Sequence, residues 1–301
     1  MSINLLQRLL IFFVGIPIVI VFVILLPNYN HLALNIFITI VSSVGAVEFA
    51  LMLKAKGFPV YVPEAAILGS LSPLAATFIA SFGTNSEITQ SLFIIGASWV
   101  LVSEIFFHQF RGVNSTKRTK TNKDILPDYS LVLSRLSAAF SVMIYPGLLL
   151  SWVITMSALE FSSIVILTYA FTVIANDSTA WGTGMLFGRN NRGMFAVSPN
   201  KSVAGYLGGL TASMGVCTAM ACMFPNAFPA DQIPQLPSAI LLGFFSGIAV
   251  ILGDLAESAI KRGSGVKDSG WLIPGRGGVL DSTDSFALTA PVFYVLYRFF
   301  F

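Results

Sequence analysis

The chain has 301 residues, of which 55% are hydrophobic and only 10% are charged, and its mean hydropathy is +0.80. A soluble domain carries about a quarter charged residues, so this composition excludes a soluble globular protein and predicts an integral membrane protein. The formal net charge of +3 is too small to indicate nucleic-acid binding, and the two cysteines lack metal-ligand spacing.

Nine apolar segments follow one another along the chain, and each is long enough to predict a membrane helix. Their approximate bounds are 9–26, 32–53, 65–82, 88–107, 135–156, 162–180, 204–224, 238–260 and 286–301. The first segment has the length of a signal peptide, but no small-residue cleavage site follows it, so we interpret it as the first span. The predicted fold is an all-α polytopic bundle of about nine transmembrane helices.

The distribution of basic residues predicts the orientation of this bundle. With nine spans and a cytoplasmic N-terminus, sixteen of the seventeen Lys and Arg residues fall on the cytoplasmic side, and only Arg298 falls outside. Loops on the cytoplasmic side of membrane proteins are enriched in Lys and Arg. We therefore expect a multi-pass protein of the cell inner membrane, with its N-terminus and its charged loops in the cytoplasm.

Two acidic residues lie inside apolar segments, Glu48 in the second and Glu104 in the fourth. An intramembrane carboxylate is costly, so each predicts either a proton or cation relay or an interhelical hydrogen bond. The sequence leaves both interpretations open.

The connection between the sixth and seventh segments carries a first group of polar residues. Asp177 directly follows an apolar run, where an aspartate requires a cavity, a cation or a partner. Further along, Ser198 and Pro199 start a turn, after which Lys201 and Ser202 begin the seventh helix. Because free N–H groups at a helix start favour an anion, this turn predicts a phosphate or nucleotide site. The spacing of a P-loop is absent.

A second polar group lies in residues 254–284. Asp254, Glu257, Ser258 and Lys261 have the spacing i, i+3, i+4 and i+7, which places them on one helix face. A solvated loop is the alternative interpretation, but the two acids continue directly from an apolar run, which disfavours it.

These carboxylates repel one another unless a cation lies between them. Oxygen donors without nearby His or Cys favour Mg²⁺ or Mn²⁺, so we expect Asp254, Asp281 and Asp284 to bind one or two such ions. Asp177 is predicted to be a further ligand or a brace for Lys201. A metal cluster with phosphate-binding cations in a membrane protein predicts phosphoryl or nucleotidyl transfer to a lipid.

Both groups resemble the phosphatidate cytidylyltransferases, also called CDP-diacylglycerol synthases. The family pattern S-x-apolar-K-R-x4-K-D, then H-G-G-x-x-D-R-x-D, is matched in register by Ser258, Ile260, Lys261, Arg262, Lys267, Asp268, Gly277, Gly278, Asp281 and Asp284. A second family pattern is matched by Asp177, Ala180, Gly184, Gly188, Ser198, Pro199, Lys201 and Gly205. The departures from both patterns are Trp181, Ser202, Ala204, Arg276 and Ser282.

The resemblance implies a reaction in which CTP and phosphatidate give CDP-diacylglycerol and pyrophosphate, in phospholipid biosynthesis. The residues expected to act in catalysis are Asp254, Lys261, Lys267, Asp281 and Asp284. Those expected to bind substrate are Ser198, Lys201, Ser202, Arg262, Asp268 and Arg276. The expected partners are CTP, phosphatidate and membrane lipids, without nucleic acid, and a homodimer is left open.

The resemblance is concentrated in the C-terminal half, so residues 1–160 are expected to form an N-terminal helical region and 161–301 the catalytic region. Three alternatives remain. A lipid kinase would use CTP as its phosphate donor, and a related CDP-lipid synthase would transfer the cytidylyl group of CTP to another acceptor. An ion-coupled transporter would line its path with Glu48, Glu104, Asp177 and Asp254.

Overall fold

The computed structural model describes residues 17, 19–83, 91, 94–100, 102–103, 132–229, 234–273, 275 and 277–301. Within these ranges the chain is helical and forms no strand, apart from two isolated β-bridges, Arg192 with Ser202 and Ile273 with Gly277. Seven long helices are α1 Asn28–Ala55, α2 Val62–Phe82, α3 Val132–Met156, α4 Ser162–Phe187, α5 Val203–Met223, α6 Gln235–Ser264 and α7 Leu280–Phe300.

The described helices confirm a multi-pass membrane protein. Helices α1 to α6 are each long and apolar enough to cross a membrane, and α7 has 21 residues. The first and fourth predicted segments extend beyond the described residues, yet the described parts are helical, at Val21–Leu25 and at 94–100. With these two described parts added to the seven long helices, the predicted count of nine matches the part of the chain that the structure describes.

Two helices differ from their predicted bounds in ways that change the site. Helix α7 begins at Leu280 rather than at 286, so Asp281 and Asp284 lie in its first turns. Helix α4 continues past 180 to Phe187. Its polar, glycine-rich end suggested a loop. In the structure this end is helical, and the Thr183 hydroxyl lies 2.8 Å from the carbonyl oxygen of Thr179 in the same helix and 3.1 Å from that of Ala204 in α5.

Helices α4, α5, α6 and α7 pack side by side in chain order. Glycines allow the close approach: a Cβ at Gly243 of α6 would lie 2.6 Å from the backbone of Met214 in α5. In a lipid environment such packing, with hydrogen bonds between helices, replaces the hydrophobic effect as the force that joins them. Asn176 of α4 supplies one of these bonds, donating to the Ser213 hydroxyl at 2.8 Å.

Helix α3 contains a π-helical stretch, Met143–Leu148, that includes Pro146. Proline has no N–H to donate and disturbs the regular helical bonds. The hydroxyl of Ser42 in α1 lies 2.6 Å from the Pro146 carbonyl oxygen and 2.7 Å from that of Gly69 in α2. This contact holds α1, α2 and the π-helical stretch together.

Candidate active site

Helices α4 to α7 form a cavity of about 390 Å³ that is lined by all four predicted metal ligands. The charged residues lining it are Asp177, Arg192, Lys201, Asp254, Asp281 and Asp284. The structure therefore brings together four aspartates that lie up to 107 positions apart in the sequence.

Lys201 and Ser202 lie where α5 begins. The Lys201 ammonium forms an ion pair with Asp254 of α6, across the cavity wall. The Ser202 hydroxyl accepts the Gly205 N–H at 3.1 Å and so caps the N-terminus of α5. The Ser202 hydroxyl therefore has a role in capping the helix. Its contact with a nucleotide stays a prediction.

Lys261 lies between two carboxylates from different helices. Its Nζ is 2.5 Å from Oε2 of Glu257, one turn earlier on α6, and 2.6 Å from Oδ1 of Asp281 on α7. All three side chains are largely buried. This ion triad joins the end of α6 to the start of α7.

The carboxylate of Asp281 also organises the loop between these helices. Its Oδ2 accepts three hydrogen bonds, from the N–H of Gly278 at 2.7 Å, the N–H of Ser269 at 2.8 Å and the Ser269 hydroxyl at 2.9 Å. Oδ2 therefore holds the loop through hydrogen bonds, and Oδ1 pairs with Lys261.

Asp284 differs from its neighbours because it is buried with little compensation. Only 7% of the residue is exposed, and within the described ranges its carboxylate accepts one N–H, from Ser285 at 2.7 Å. Asp254 and Asp177 lie close enough to repel it electrostatically. Among the described residues no Lys or Arg forms an ion pair with it. A buried carboxylate in these surroundings calls for a cation.

The donor set of the cavity suits a hard divalent ion, because it consists of carboxylate oxygens. In the described part of the chain, no three His, Cys, Asp or Glu side chains form a ready-made metal site. Mg²⁺ is commonly bound by one or two carboxylates, with phosphate oxygens and water completing its shell. Asp284, with Asp254 or Asp177 beside it, fits that mode of binding. Coordination by all three predicted ligands stays a prediction.

Several predicted site residues do not line the cavity. Among those predicted to bind substrate these are Ser198, Arg262 and Asp268, and among those predicted to act in catalysis they are Lys261 and Lys267. Arg262, Lys267 and Asp268 are exposed. Arg276 lies outside the described residues. Their roles stay predictions that depend on how far a substrate extends beyond the cavity.

Sequence reasoning missed Arg192 and did not settle Glu48. Arg192 lines the cavity from the loop before α5, where its bridge with Ser202 holds the loop against the helix start. The sequence offered a signal, since this basic residue lies between Asp177 and Ser198, two predicted site residues of the same connection.

Glu48 forms hydrogen bonds rather than belonging to a relay. Its Oε1 accepts the Val279 N–H at 3.0 Å and its Oε2 accepts the Leu280 N–H at 2.8 Å, while the Ser269 hydroxyl oxygen lies 3.2 Å from Oε2. It thus caps α7 from α1, where the positive end of the helix dipole favours a carboxylate. Glu104 lies outside the described residues.

Comparison with known proteins supports the resemblance. The chain is 41% identical over 136 residues to a phosphatidate cytidylyltransferase of Synechocystis, covering 44% of this chain and 43% of that protein. It is 37% identical over 140 residues to one of Haemophilus influenzae, covering 46% and 48%. It is 34% identical over 158 residues to one of Bacillus subtilis, covering 52% and 56%. The aligned stretch thus spans about half the length of each relative.

A match to a family model extends further than these pairwise alignments. The model of the cytidylyltransferase family matches residues 6–300, so it includes the N-terminal helices that the motifs alone did not reach. The chain therefore belongs to the cytidylyltransferase family.

Proposed function

We propose that this protein is a phosphatidate cytidylyltransferase, which transfers the cytidylyl group of CTP to phosphatidate and releases pyrophosphate. The observation that carries the proposal is the cavity, where the buried and poorly compensated Asp284 lies with three further aspartates and two cations. Such a site suits a metal-bound polyphosphate. The choice of CTP and phosphatidate as substrates is supported by three relatives that are named phosphatidate cytidylyltransferase.

The chemistry needs little beyond positioning and charge neutralisation. A phosphate oxygen of phosphatidate attacks the α-phosphorus of CTP, a new P–O bond forms, and the bond to the β-phosphate oxygen breaks with pyrophosphate as leaving group. Because the attacking oxygen is already anionic, no strong general base is required. Catalysis then consists in holding the two phosphates in line.

The residues of the cavity divide this work. Arg192 and Lys201 are placed to bind phosphate oxygens, and Lys201 would exchange Asp254 for phosphate when the nucleotide binds. Lys261, behind the cavity lining, holds Asp281 in place through their ion pair. A divalent ion held by Asp284 with Asp254 or Asp177 would neutralise phosphate charge.

Nucleotidyl transfer by CDP-diacylglycerol synthases generally needs a divalent metal, and the all-oxygen donor set favours Mg²⁺ or Mn²⁺ here. Orientation with the cavity towards the cytoplasm, location in the inner membrane and a homodimer also belong to this proposal.

The structure disfavours the transporter alternative. Both oxygens of Glu48 are used in capping α7, so this residue does not line a path with Asp177 and Asp254. The two CTP-dependent alternatives differ from the proposal in their products.

Product analysis tests the proposal. Purified protein in detergent is incubated with labelled CTP, phosphatidate and Mg²⁺, and both products are quantified. We expect CDP-diacylglycerol and pyrophosphate in equal amounts. CDP with a phosphorylated lipid would indicate a lipid kinase. No consumption of CTP, or turnover only with another lipid acceptor, would exclude the proposal.

The Asp284→Asn variant tests the metal site within the same assay. This substitution keeps the acceptor for Ser285 N–H but removes the charge, so we expect turnover to fall by about a hundredfold or more with the fold retained. Asp281→Asn, which the sequence alone would favour, is less clean because it also weakens four contacts of the fold. Glu160→Gln, at an exposed loop position, is the control. Turnover of Asp284→Asn near that of the control would exclude Asp284 as a metal ligand.

A further inference from the structure

A second concavity, the lateral groove, lies between α1, the π-helical stretch of α3 and the end of α6. Its volume is about 530 Å³, within the range of small-ligand sites. The apolar side chains lining it are Phe49, Leu53, Phe58, Ile144, Tyr145 and Ile260. Ile144 and Phe58 are exposed. The groove is thus an open apolar channel on the side of the bundle.

The lateral groove approaches the carboxylate cavity at Tyr145, which lines the groove and lies within electrostatic range of Asp284 and Asp254. The ring of Tyr145 stacks at a tilt on Phe49, with centroids 5.6 Å apart. It packs in the same cluster as Leu280 and Ile260, the residues that directly precede Asp281 and Lys261. A Cβ at Gly45 would lie 3.6 Å from both Leu280 and Pro146, so the π-helical stretch contacts the start of α7.

The hydroxyl of Tyr145 is a buried polar group near the carboxylate cavity. It has no hydrogen-bond partner among the described residues. It lies within electrostatic range of the carboxylates of Asp284, Glu257 and Asp254. A buried hydroxyl without a partner is costly, so a ligand that supplies an acceptor would be favoured at this point. A π-helical distortion that presents such a side chain is frequent at functional sites.

The groove also carries a cation. Lys56 lines it, and its Nζ lies 3.2 Å from where a Cβ of Gly265 would be, next to the last turn of α6. An apolar channel that offers an ammonium and a hydroxyl without a partner among the described residues complements an anionic lipid. It does not complement CTP, whose base, ribose and phosphates are polar.

We propose that the lateral groove holds an acyl chain of the lipid substrate, and that the Tyr145 hydroxyl donates a hydrogen bond to the headgroup of that lipid as it enters the carboxylate cavity. Tyr145 is then a residue that positions the lipid phosphate for attack. The assignment rests on the proposed function, because it takes the substrate to be a phospholipid with an anionic headgroup.

Filling the groove tests the acyl-chain site. In Ile144→Trp the added ring occupies the channel, so we expect kcat/KM for dioleoyl phosphatidate to fall by about tenfold. Soluble dihexanoyl phosphatidate has chains too short to fill the groove, and its kcat/KM should stay within about twofold of wild type. Leu133→Trp, at an exposed position of α3 outside the groove, is the matched control and should leave both values unchanged. Equal losses for both lipids, or no loss, would overturn the proposal.

Removing the hydroxyl tests Tyr145. Because that hydroxyl has no partner among the described residues, Tyr145→Phe should leave the melting temperature unchanged while raising KM for phosphatidate by about tenfold. KM for CTP should not change. A lower melting temperature with an unaltered KM for phosphatidate would show a structural role instead.

Photolabelling separates this proposal from the proposed function. A phosphatidate with a diazirine in its acyl chain should label peptides containing Phe49, Ile144 or Ile260 in the wild-type protein, and unlabelled phosphatidate should compete. Labelling confined to other peptides would overturn the groove assignment even if turnover is confirmed. Groove labelling without CTP turnover would leave the lipid site standing and exclude the proposed reaction.

Discussion

Lys261 neutralises two carboxylates that the fold buries together. Its ammonium lies 2.5 Å from Oε2 of Glu257 and 2.6 Å from Oδ1 of Asp281, and Oε1 of Glu257 has no hydrogen-bond partner in the described part of the chain. Removing one member of a buried ion cluster leaves the others uncompensated, which costs far more than an exposed ion pair contributes.

The variant Lys261→Met should therefore lose about 3 kcal/mol of folding free energy, seen as a melting temperature about 5 °C lower or more in detergent. The neighbouring Arg262→Met, at an exposed position, is the control and should melt like the wild type. Adding Glu257→Gln to the Lys261 variant removes one of the stranded charges and should restore part of the loss. An unchanged melting temperature in Lys261→Met would contradict the ion triad.

The spacing of these residues predicted part of the arrangement. Glu257 and Lys261 do share a helix face and pair at i, i+4, as the sequence indicates. Their contact with Asp281, and that of Asp254 with Lys201, join separate helices. Such contacts depend on how helices pack, which the pattern within one helix does not encode.

At the scale of helices, Glu48 explains why α7 begins earlier than its apolar run. The hydropathy of the sequence rises only near 286, and the polar residues before it suggested a loop. A carboxylate from α1, 231 positions from Val279, accepts the N–H groups that a helix start leaves free. Local sequence cannot supply that information, because the cap comes from a distant helix.

Changing Glu48 to Gln should loosen the start of α7. Gln offers one acceptor oxygen where Glu offers two, so at least one of the Val279 and Leu280 N–H groups loses its partner, at a cost of about 1 to 3 kcal/mol. We expect faster hydrogen exchange in a peptide covering 270–285, measured by mass spectrometry. Glu160→Gln is the control, and protection in this peptide equal to that of the control would show that the cap is dispensable.

Glycine at 253 sets the distance between α6 and α7. A Cβ there would lie 2.8 Å from the carbonyl oxygen of Asp284 and 3.1 Å from Cα of Ser285. Gly253→Ala must therefore push α7 away and move Asp284 relative to Asp254. We expect kcat/KM for CTP to fall by about tenfold or more, because small displacements of reacting groups are costly.

Gly215→Ala is the matched control for this substitution. A Cβ at 215 meets nothing within 4 Å, and alanine has the higher helix propensity, so activity should persist and stability should rise by up to about 1 kcal/mol. If the two alanine variants behave alike, the spacing of α6 and α7 does not control the site.

At the scale of the whole molecule, composition was sufficient to predict a polytopic helical membrane protein and nearly all of its spans. Hydrophobic segments of membrane length are encoded locally, so their number and order can be read from the chain. The sequence predicted the residue types of the site, aspartates together with basic side chains, and that they lie close to one another. Its details, such as the single weakly compensated Asp284, arise from four helices packed together and could not be read from spacing.

Orientation is the remaining property that the charge distribution predicts for the molecule. The loop after α4 carries Arg189 and Arg192, whereas the connection from α5 to α6, residues 224–234, carries no Lys or Arg. Positive charge on one side predicts that the loop after α4 is cytoplasmic and that the connection after α5 lies on the opposite face.

Cysteine labelling in intact cells tests this orientation. In a background with Cys217 and Cys222 replaced by alanine, single cysteines are introduced at the exposed positions Asn190 and Asn226. A membrane-impermeant maleimide should label Asn226→Cys in intact cells, and Asn190→Cys only after the membrane is permeabilised. The carboxylate cavity is lined in part by the loop after α4, through Arg192 and Lys201, so the reverse pattern would place that part of the cavity on the side without cytoplasmic CTP. The proposed reaction could then not proceed, so the topology of the molecule and the chemistry of its site depend on the same measurement.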